Sequence, residues 1–384
     1  MAGISLLMGC KQDKSNNWTD RAIETASLHF QGMIENLPSD TLYPRSVSDG
    51  KTTLVNPHDW TSGFFPGSLW YLYALTGEQH WKDQAHKRTL ALTEIQFDST
   101  THDLGFMIYC SMGNGLRFAD KEEYKPAMIN GARTLTSRFN PNVGSIRSWD
   151  FGPWQFPVII DNMMNLEYLY WAWEETKEES FKHIANTHAQ TTYNHHFRPD
   201  FSTWHVLDYD TITGLPITKQ TYQGYSDESI WARGQAWAVY GYTLTYRATR
   251  ENHYLERAKQ SANLFLVHEN LPEDKIPYWD FNDPAIPNVP RDVSAATILA
   301  SALLELSTYL PEENYFHIAE DILQNLASDN YLAQPGSNNH FILKHSTGHM
   351  PVDSEVDVPL NYADYYFLEA IYRYRNLKDN NMVF

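Results

Sequence analysis

Apolar residues recur along this chain three or four positions apart, the spacing of helices, far more often than they alternate as in strands. Twelve helical segments are predicted on that pattern: 19–35, 63–75, 78–95, 104–115, 121–138, 160–175, 178–195, 229–249, 254–270, 292–310, 312–327 and 360–374. A weak repeat runs through them. An aromatic-rich helix ends, a short polar turn follows, and the next helix opens with an aromatic residue and a small one four positions later. Trp81/Ala85, Phe181/Ala185, Tyr254/Ala258 and Tyr315/Ala319 are copies, and Tyr124/Met128 is a looser one. Alanine one turn after a large ring lets neighbouring helices approach closely, so the repeat predicts stacked helical hairpins. Six such hairpins predict an all-α fold, an (α/α)6 barrel of alternating inner and outer helices. An open superhelix of hairpins is the alternative. Closure is favoured by the uneven spacing and by the long segments 139–159, 196–228, 271–291 and 334–359, because open solenoids keep even spacing and short turns. Long aromatic-rich loops on one rim are where a helical barrel would build a pocket.

Composition narrows the picture. No Pro/Gly/Ser linker divides the 384 residues, which favours one large unit, 18–384, behind a short N-terminal segment, 1–17. Leu7-Met8-Gly9-Cys10 resembles a bacterial lipobox. The stretch before it is short and lacks a basic region, so 1–17 reads as a truncated lipoprotein signal with a polar tether; a chance cysteine is the alternative. The first reading places the protein in the bacterial periplasm with a lipid on Cys10, the second in the cytoplasm. No run approaches the ~20 apolar residues needed to span a bilayer. Cys10 and Cys110 are the only cysteines, which excludes a disulfide framework. With 47 acidic against 29 basic residues and a net charge of -18, nucleic acid is not an expected partner, since phosphate binding needs concentrated Lys and Arg. The 12 Trp, 24 Tyr and 18 Phe belong mostly to a core, yet aromatic surplus also suits clefts that pack ring faces on sugars.

Nucleotide loops, zinc-protease helices and nucleophile elbows are missing, which leaves carboxylates, His, Gln, Arg and Trp between the helices, the tools of glycoside chemistry. Asp161 follows a loop rich in Trp, Gly and Pro and starts the helical run that continues through Leu166 to Trp173, on one face with Met164, Asn165 and Tyr168. Such a carboxylate is either an N-cap or, beside apolar walls, a general acid with an expensive charged form. Asp103, in His102-Asp103-Leu104-Gly105-Phe106, has the same two readings. Two close carboxylates resist joint ionisation, which would raise one pKa. If Asp161 lies at a helix N-terminus, the dipole opposes that by roughly 0.3–1 kcal/mol, so Asp103 and the apolar wall must outweigh it with a shift of about one to two units. The densest stretch is Thr221 to Trp237, where Arg233 and Trp237 share a helical face and Gly224 and Gly234 leave room for a ligand or a second backbone. Trp60 opens another inner helix, and His205 lies in the loop before the dense stretch.

In combination these stretches resemble the unsaturated glucuronyl hydrolases, glycoside hydrolase family 88. The matching residues are His58-Asp59-Trp60-Thr61-Ser62-Gly63-Phe64, His102 to Phe106, Ile160-Asp161-Asn162-Met163-Met164-Asn165, Gln223 to Trp237, and Asp364-Tyr365-Tyr366-Phe367-Leu368-Glu369-Ala370. They span nearly the whole chain. The resemblance implies the (α/α)6 barrel and substrates left by polysaccharide lyases, glycosaminoglycan oligosaccharides with a 4,5-unsaturated uronic acid at the non-reducing end. It implies hydration of the C4=C5 enol ether, with water as co-substrate and no metal or organic cofactor. Asp161 is then the acid/base and Asp103 the second essential carboxylate. His205, Thr221, Gln223 and Arg233 match positions that hold the unsaturated sugar, and Trp60, Trp149 and Trp237 positions that line the cleft, with His102 beside them. In the variable segment 344–351, Ser346 is the expected contact to the next sugar, while Lys344 and His349 are expected at the surface. Two other readings stay open: a rhamnogalacturonyl hydrolase of pectin breakdown, and a non-catalytic sugar-binding helical lipoprotein.

Overall fold

The computed structural model describes residues 18–381; segment 1–17 and its Cys10 lie outside the described residues. Twelve α-helices are found among them: α1 Trp18–Asn36, α2 Phe64–Thr76, α3 Gln79–Leu90, α4 Asn114–Ala119, α5 Lys125–Thr136, α6 Leu166–Thr176, α7 Glu179–His195, α8 Ala232–Thr249, α9 Asn252–Val267, α10 Val293–Tyr309, α11 Tyr315–Leu326 and α12 Asn361–Lys378. Burial sorts them into two rings. Every residue of α10 from Val293 to Leu306, and of α8 from Ala232 to Thr245, is buried. A helix buried all round must be surrounded. By contrast α11 buries only Tyr315, Ala319, Ile322, Leu323 and Leu326, the single stripe of an outer helix. The even-numbered helices form the inner ring and the odd-numbered ones the outer. The ring closes because α12 packs on both α10 and α2. Its outer partner is α1, whose Trp18 ring lies 5.1 Å from Tyr374 and whose Asp20 pairs with Arg375 at 2.8 Å.

The repeat seen in the sequence marks the outer ring. Trp81, Phe181, Tyr254 and Tyr315 sit in the first turns of α3, α7, α9 and α11, and with Ala85, Ala185, Ala258 and Ala319 they are all buried. A second signal went unread. Three inner-to-outer turns have the form Thr-x-Glu: Thr76-Gly77-Glu78, Thr176-Lys177-Glu178 and Thr249-Arg250-Glu251. The middle residue is left-handed in each, which ends the helix. The Thr hydroxyl then accepts the Glu backbone N–H.

Several predicted helices are not continuous. The 78–95 run stops at Leu90 and resumes as a 3-10 turn, Thr93–Phe97. The 104–115 run is a π-helix, Gly105–Gly113, before α4, and the 121–138 run starts as a 3-10 turn, Glu122–Tyr124. The 160–175 run opens as a 3-10 turn, Ile160–Asn165. Short strands also appear inside the long loops, where non-local pairing is invisible to helical periodicity. They are β1 Tyr43–Ser48, β2 Lys51–Val55, β3 Phe139–Asn140, β4 Ser145–Ile146, β5 Pro157–Ile159, β6 Val206–Tyr209 and β7 Pro216–Gln220, paired antiparallel as β1-β2, β3-β4 and β5-β6-β7. Pro157 opens β5, a position that needs no ladder donor.

Candidate active site

The strand β5 runs straight into the turn that carries Asp161, and its partner β6 brings His205 alongside. Ile159 pairs with Val206, and the Ile160 N–H donates to the His205 carbonyl at 3.1 Å. His205 Nδ1 accepts the N–H groups of Tyr222 and Gln223 at 3.1 and 3.2 Å. Its proton is therefore on Nε2, which faces Asp161 Oδ1 at 3.7 Å. Burial, with Arg233 nearby, pushes the His205 pKa well below its ordinary value, so the ring is a neutral donor. Both facing atoms, Asp161 Oδ1 and His205 Nε2, are buried without a hydrogen-bond partner. The Asp161 side chain is not an N-cap; Ile159 holds that place.

On the neighbouring segment, Asp103 Oδ2 accepts the Thr101 hydroxyl at 2.7 Å, and Oδ1 lies 3.2 Å from His102 Nε2. The Gly105 N–H donates to Asn165 Oδ1 at 2.8 Å, and a Cβ at Gly105 would stand only 2.4 Å from that oxygen. Glycine is required here so that the segment of Asp103 can lie against the turn of Asp161. The widened π-turn begins at this glycine, as such turns often do at working sites.

Asp103 and Asp161 open into one cleft of about 370 Å³ among the N-terminal ends of the inner helices. Trp60, His102, Trp149, Gln223 and Arg233 line it as well. Burial is the main force on Asp161 and lifts its pKa to about 7; Arg233, its own backbone N–H and a hydrogen bond from Trp237 act downward, and Asp103 adds a smaller upward push. The low-dielectric wall dominates and the second carboxylate assists. Among the described residues, no three His, Cys, Asp or Glu side chains gather as metal ligands would.

Other expected residues take different places. Trp237 is buried beneath the cleft, its ring 5.4 Å from Phe106 and 5.3 Å from Tyr366, and it acts on Asp161 as one of the smaller downward pulls on its pKa. Arg233 lies over the Trp231 ring, with its terminal nitrogens bound to Asp292 and to the carbonyls of Thr347 and Gly348. Thr221 turns into its own loop, accepting the Gly224 N–H. Ser346 is not brought to the cleft: its backbone bridges Val358, and its hydroxyl is buried. Lys344 points away, to the Asp329 carbonyl. His349, expected at the surface, lines the cleft and bonds the Tyr222 carbonyl at 2.7 Å.

Sequence reasoning missed Arg45 and Glu355. A bulge between Pro44 and Ser46 on β1 turns Arg45 toward the cleft, where Glu355 takes it at 2.7 and 2.9 Å and Asp59 at 2.8 Å. Arg45 and Glu355 lie 310 residues apart in the chain, with no local pattern to link them.

An acid that keeps its proton near neutrality, a second carboxylate in the same cleft and aromatic walls on an (α/α) barrel define a hydrolase that acts on sugars. The comparisons with known proteins narrow this. The chain is 48% identical to an unsaturated glucuronyl hydrolase of Formosa agariphila over 98% of its own length and 96% of that protein. It is 32% identical to an unsaturated chondroitin disaccharide hydrolase of Streptococcus pneumoniae, over 94% and 92% of the two chains. A crystal structure of an unsaturated glucuronyl hydrolase specific for heparin superposes with a TM-score of 0.93 at 49% identity, covering 95% of this chain and 99% of that one. No family profile matches the chain. The chain belongs to the unsaturated glucuronyl hydrolases of glycoside hydrolase family 88.

Proposed function

We propose that the cleft hydrates the C4=C5 bond of a 4,5-unsaturated uronic acid at the non-reducing end of a glycosaminoglycan fragment. The observation that carries the assignment of roles is the Asp161 carboxyl, raised to about 7 by burial in a cleft shared with Asp103. Protonated Asp161 gives its proton to C4, and the enol ether electrons leave positive charge shared between C5 and the ring oxygen. Asp103 supplies negative charge against that centre. Water adds to C5 and returns a proton to Asp161, with the neutral His205 Nε2–H holding the water or a sugar hydroxyl beside the acid. The hemiketal at C5 then opens to a ketone. C1 is left as a hemiacetal, which expels the next sugar as an alcohol.

The positive field of Arg233 draws the uronate carboxylate, although its terminal nitrogens are already engaged. Its engagement with Thr347 and Gly348 also shapes the wall, as does Gln223, which donates to the Gly348 carbonyl at 3.1 Å. Trp60 and Trp149 offer ring faces to the sugars. Heparin-type linkages are favoured over chondroitin-type ones, on the strength of the high similarity to the heparin-specific structure.

The test is loss of the enol-ether ultraviolet band with unsaturated disaccharides from heparin, chondroitin and pectin lyases. Fastest loss with the heparin disaccharide is expected. Faster loss with the chondroitin product removes the linkage preference, and faster loss with the pectin product moves the enzyme to rhamnogalacturonyl substrates. A periplasmic site with a lipid on Cys10 is proposed from the sequence alone; a Cys10→Ser variant that stays in the membrane fraction overturns it.

A further inference from the structure

We propose that Asn165 is a positioning residue that decides which nitrogen of His102 carries the proton, and thereby aims an N–H at Asp103. The catalytic half of this inference rests on the reading of Asp103 as a working carboxylate.

The orientation of each amide follows from the two ends of the network, where backbone groups can play one role only. The Gly105 N–H can only donate, and it meets Asn165 Oδ1 at 2.8 Å. The Ile146 carbonyl can only accept, and Asn162 Nδ2 meets it at 2.8 Å. Asn165 therefore presents Nδ2 to its remaining neighbours, Asn162 Oδ1 at 3.1 Å and His102 Nδ1 at 3.4 Å. A ring nitrogen that faces a donor offers its lone pair, so the single proton of neutral His102 sits on Nε2. Nε2 lies 3.2 Å from Asp103 Oδ1. The other Asp103 oxygen is bound by Thr101, so both oxygens face donors and the carboxylate is held in one orientation.

Burial favours this chain of contacts. Asn162 and Asn165 are fully buried and His102 is 2% exposed, so water does not compete for these bonds. Burial also pushes the His102 pKa below its ordinary value, outweighing the upward pulls of Asp103 and of a side-chain interaction with Asn162, which keeps the ring neutral. The same amide oxygen sets how closely the Gly105 segment approaches, so Asn165 links the position of Asp103 to the turn that carries Asp161.

Nitrogen-15 NMR of the imidazoles in the wild-type protein at neutral pH tests the tautomer directly, with His102→Gln used for assignment. A neutral ring protonated on Nε2 is expected; an Nδ1–H ring or an imidazolium overturns the proposal. Asn165→Asp puts a carboxylate where the donor was. It should draw the His102 proton to Nδ1, turn a lone pair toward Asp103, and lower kcat at least about 50-fold with KM changed less than threefold. A folded Asn165→Asp protein that keeps the Nε2–H ring, or keeps kcat within threefold, overturns it. If that variant does not fold, the wild-type spectrum still decides. Failure of the wild-type protein to consume any unsaturated disaccharide would instead strike the functional reading.

Discussion

Asp161, in the 3-10 turn Ile160–Asn165, and Glu167, in the first turn of α6, are six residues apart, and their pKa values move in opposite directions. Asp161 rises to about 7. Glu167 faces a second cavity further along the barrel axis, about 250 Å³, which shares only Phe106 and the space near it with the cleft. Burial pushes Glu167 upward too, but Arg247, Arg117 and Arg373 together pull it below its ordinary value. Arg247 binds Glu167 at 2.6 Å, and Arg373 lies 3.4 Å from Glu305 and 3.5 Å from Glu369. Glu369 is bound further by Tyr71, Tyr240 and Ser301. Arg117 and Arg247 come from the last turns of α4 and α8, where cations suit the helix dipole, and Arg373 comes from α12. Compensation, more than burial, separates a structural carboxylate from a proton donor. The deep cavity satisfies its charges; the cleft leaves one acid oxygen unsatisfied.

The comparison is most exposed to Asp161→Asn. Activity should fall at least about a thousandfold, since an amide cannot exchange the proton; near-normal turnover of the enol-ether band would remove Asp161 from the mechanism. The same variant sharpens the energetics. Between about pH 4 and pH 7 the folded protein binds a proton at Asp161 that the unfolded chain, with its ordinary value of 3.8, has released. Stability from this group therefore falls as pH rises through that window. Denaturant titrations at pH 5 and 8 should show the wild type losing roughly 2.5 kcal/mol that Asp161→Asn does not lose; parallel curves would mean that Asp161 ionises normally.

In the deep cavity the pattern should invert. Arg373→Met strips compensation from Glu305 and Glu369 and should cost about 3–5 kcal/mol of stability, read by chemical denaturation, while kcat changes less than threefold. A large loss of kcat without loss of stability would make the two cavities one functional unit.

The smallest effect tests the floor of the cleft. Activity that needs protonated Asp161 should decline as pH rises through about 7. Trp237→Phe removes a hydrogen bond that lowers this pKa, so the alkaline limb of kcat/KM should move up by roughly half a unit. A downward shift would show that the indole N–H is not bound to the acid.

Much of the barrel was legible in the sequence because its signals are local. The ring-and-alanine pairs at Trp81, Phe181, Tyr254 and Tyr315 record close helix contacts within one turn of chain, and helical spacing located both rings. The two candidate carboxylates could be picked out through the motifs that carry the family resemblance, since residue types and spacing within a few positions survive in one dimension. The site's supporting parts could not. Ser346 and His349 sit three residues apart, yet only one reaches the cleft, because a bridge to Val358 decides which side chain turns inward. Arg45 depends on a bulge in a strand that the helical pattern did not predict.

The sequence by itself determined that the chain is mostly helical hairpins, and which acids and rings are available for chemistry. Only the tertiary structure decided that Asp161 is raised mainly by burial, that His205 offers Nε2–H, and that Trp237 acts from below. Periodicity and motifs depend on neighbours a few residues away. A pKa or a tautomer depends on what every other segment of the chain places around the group, and on whether its charge finds a partner there.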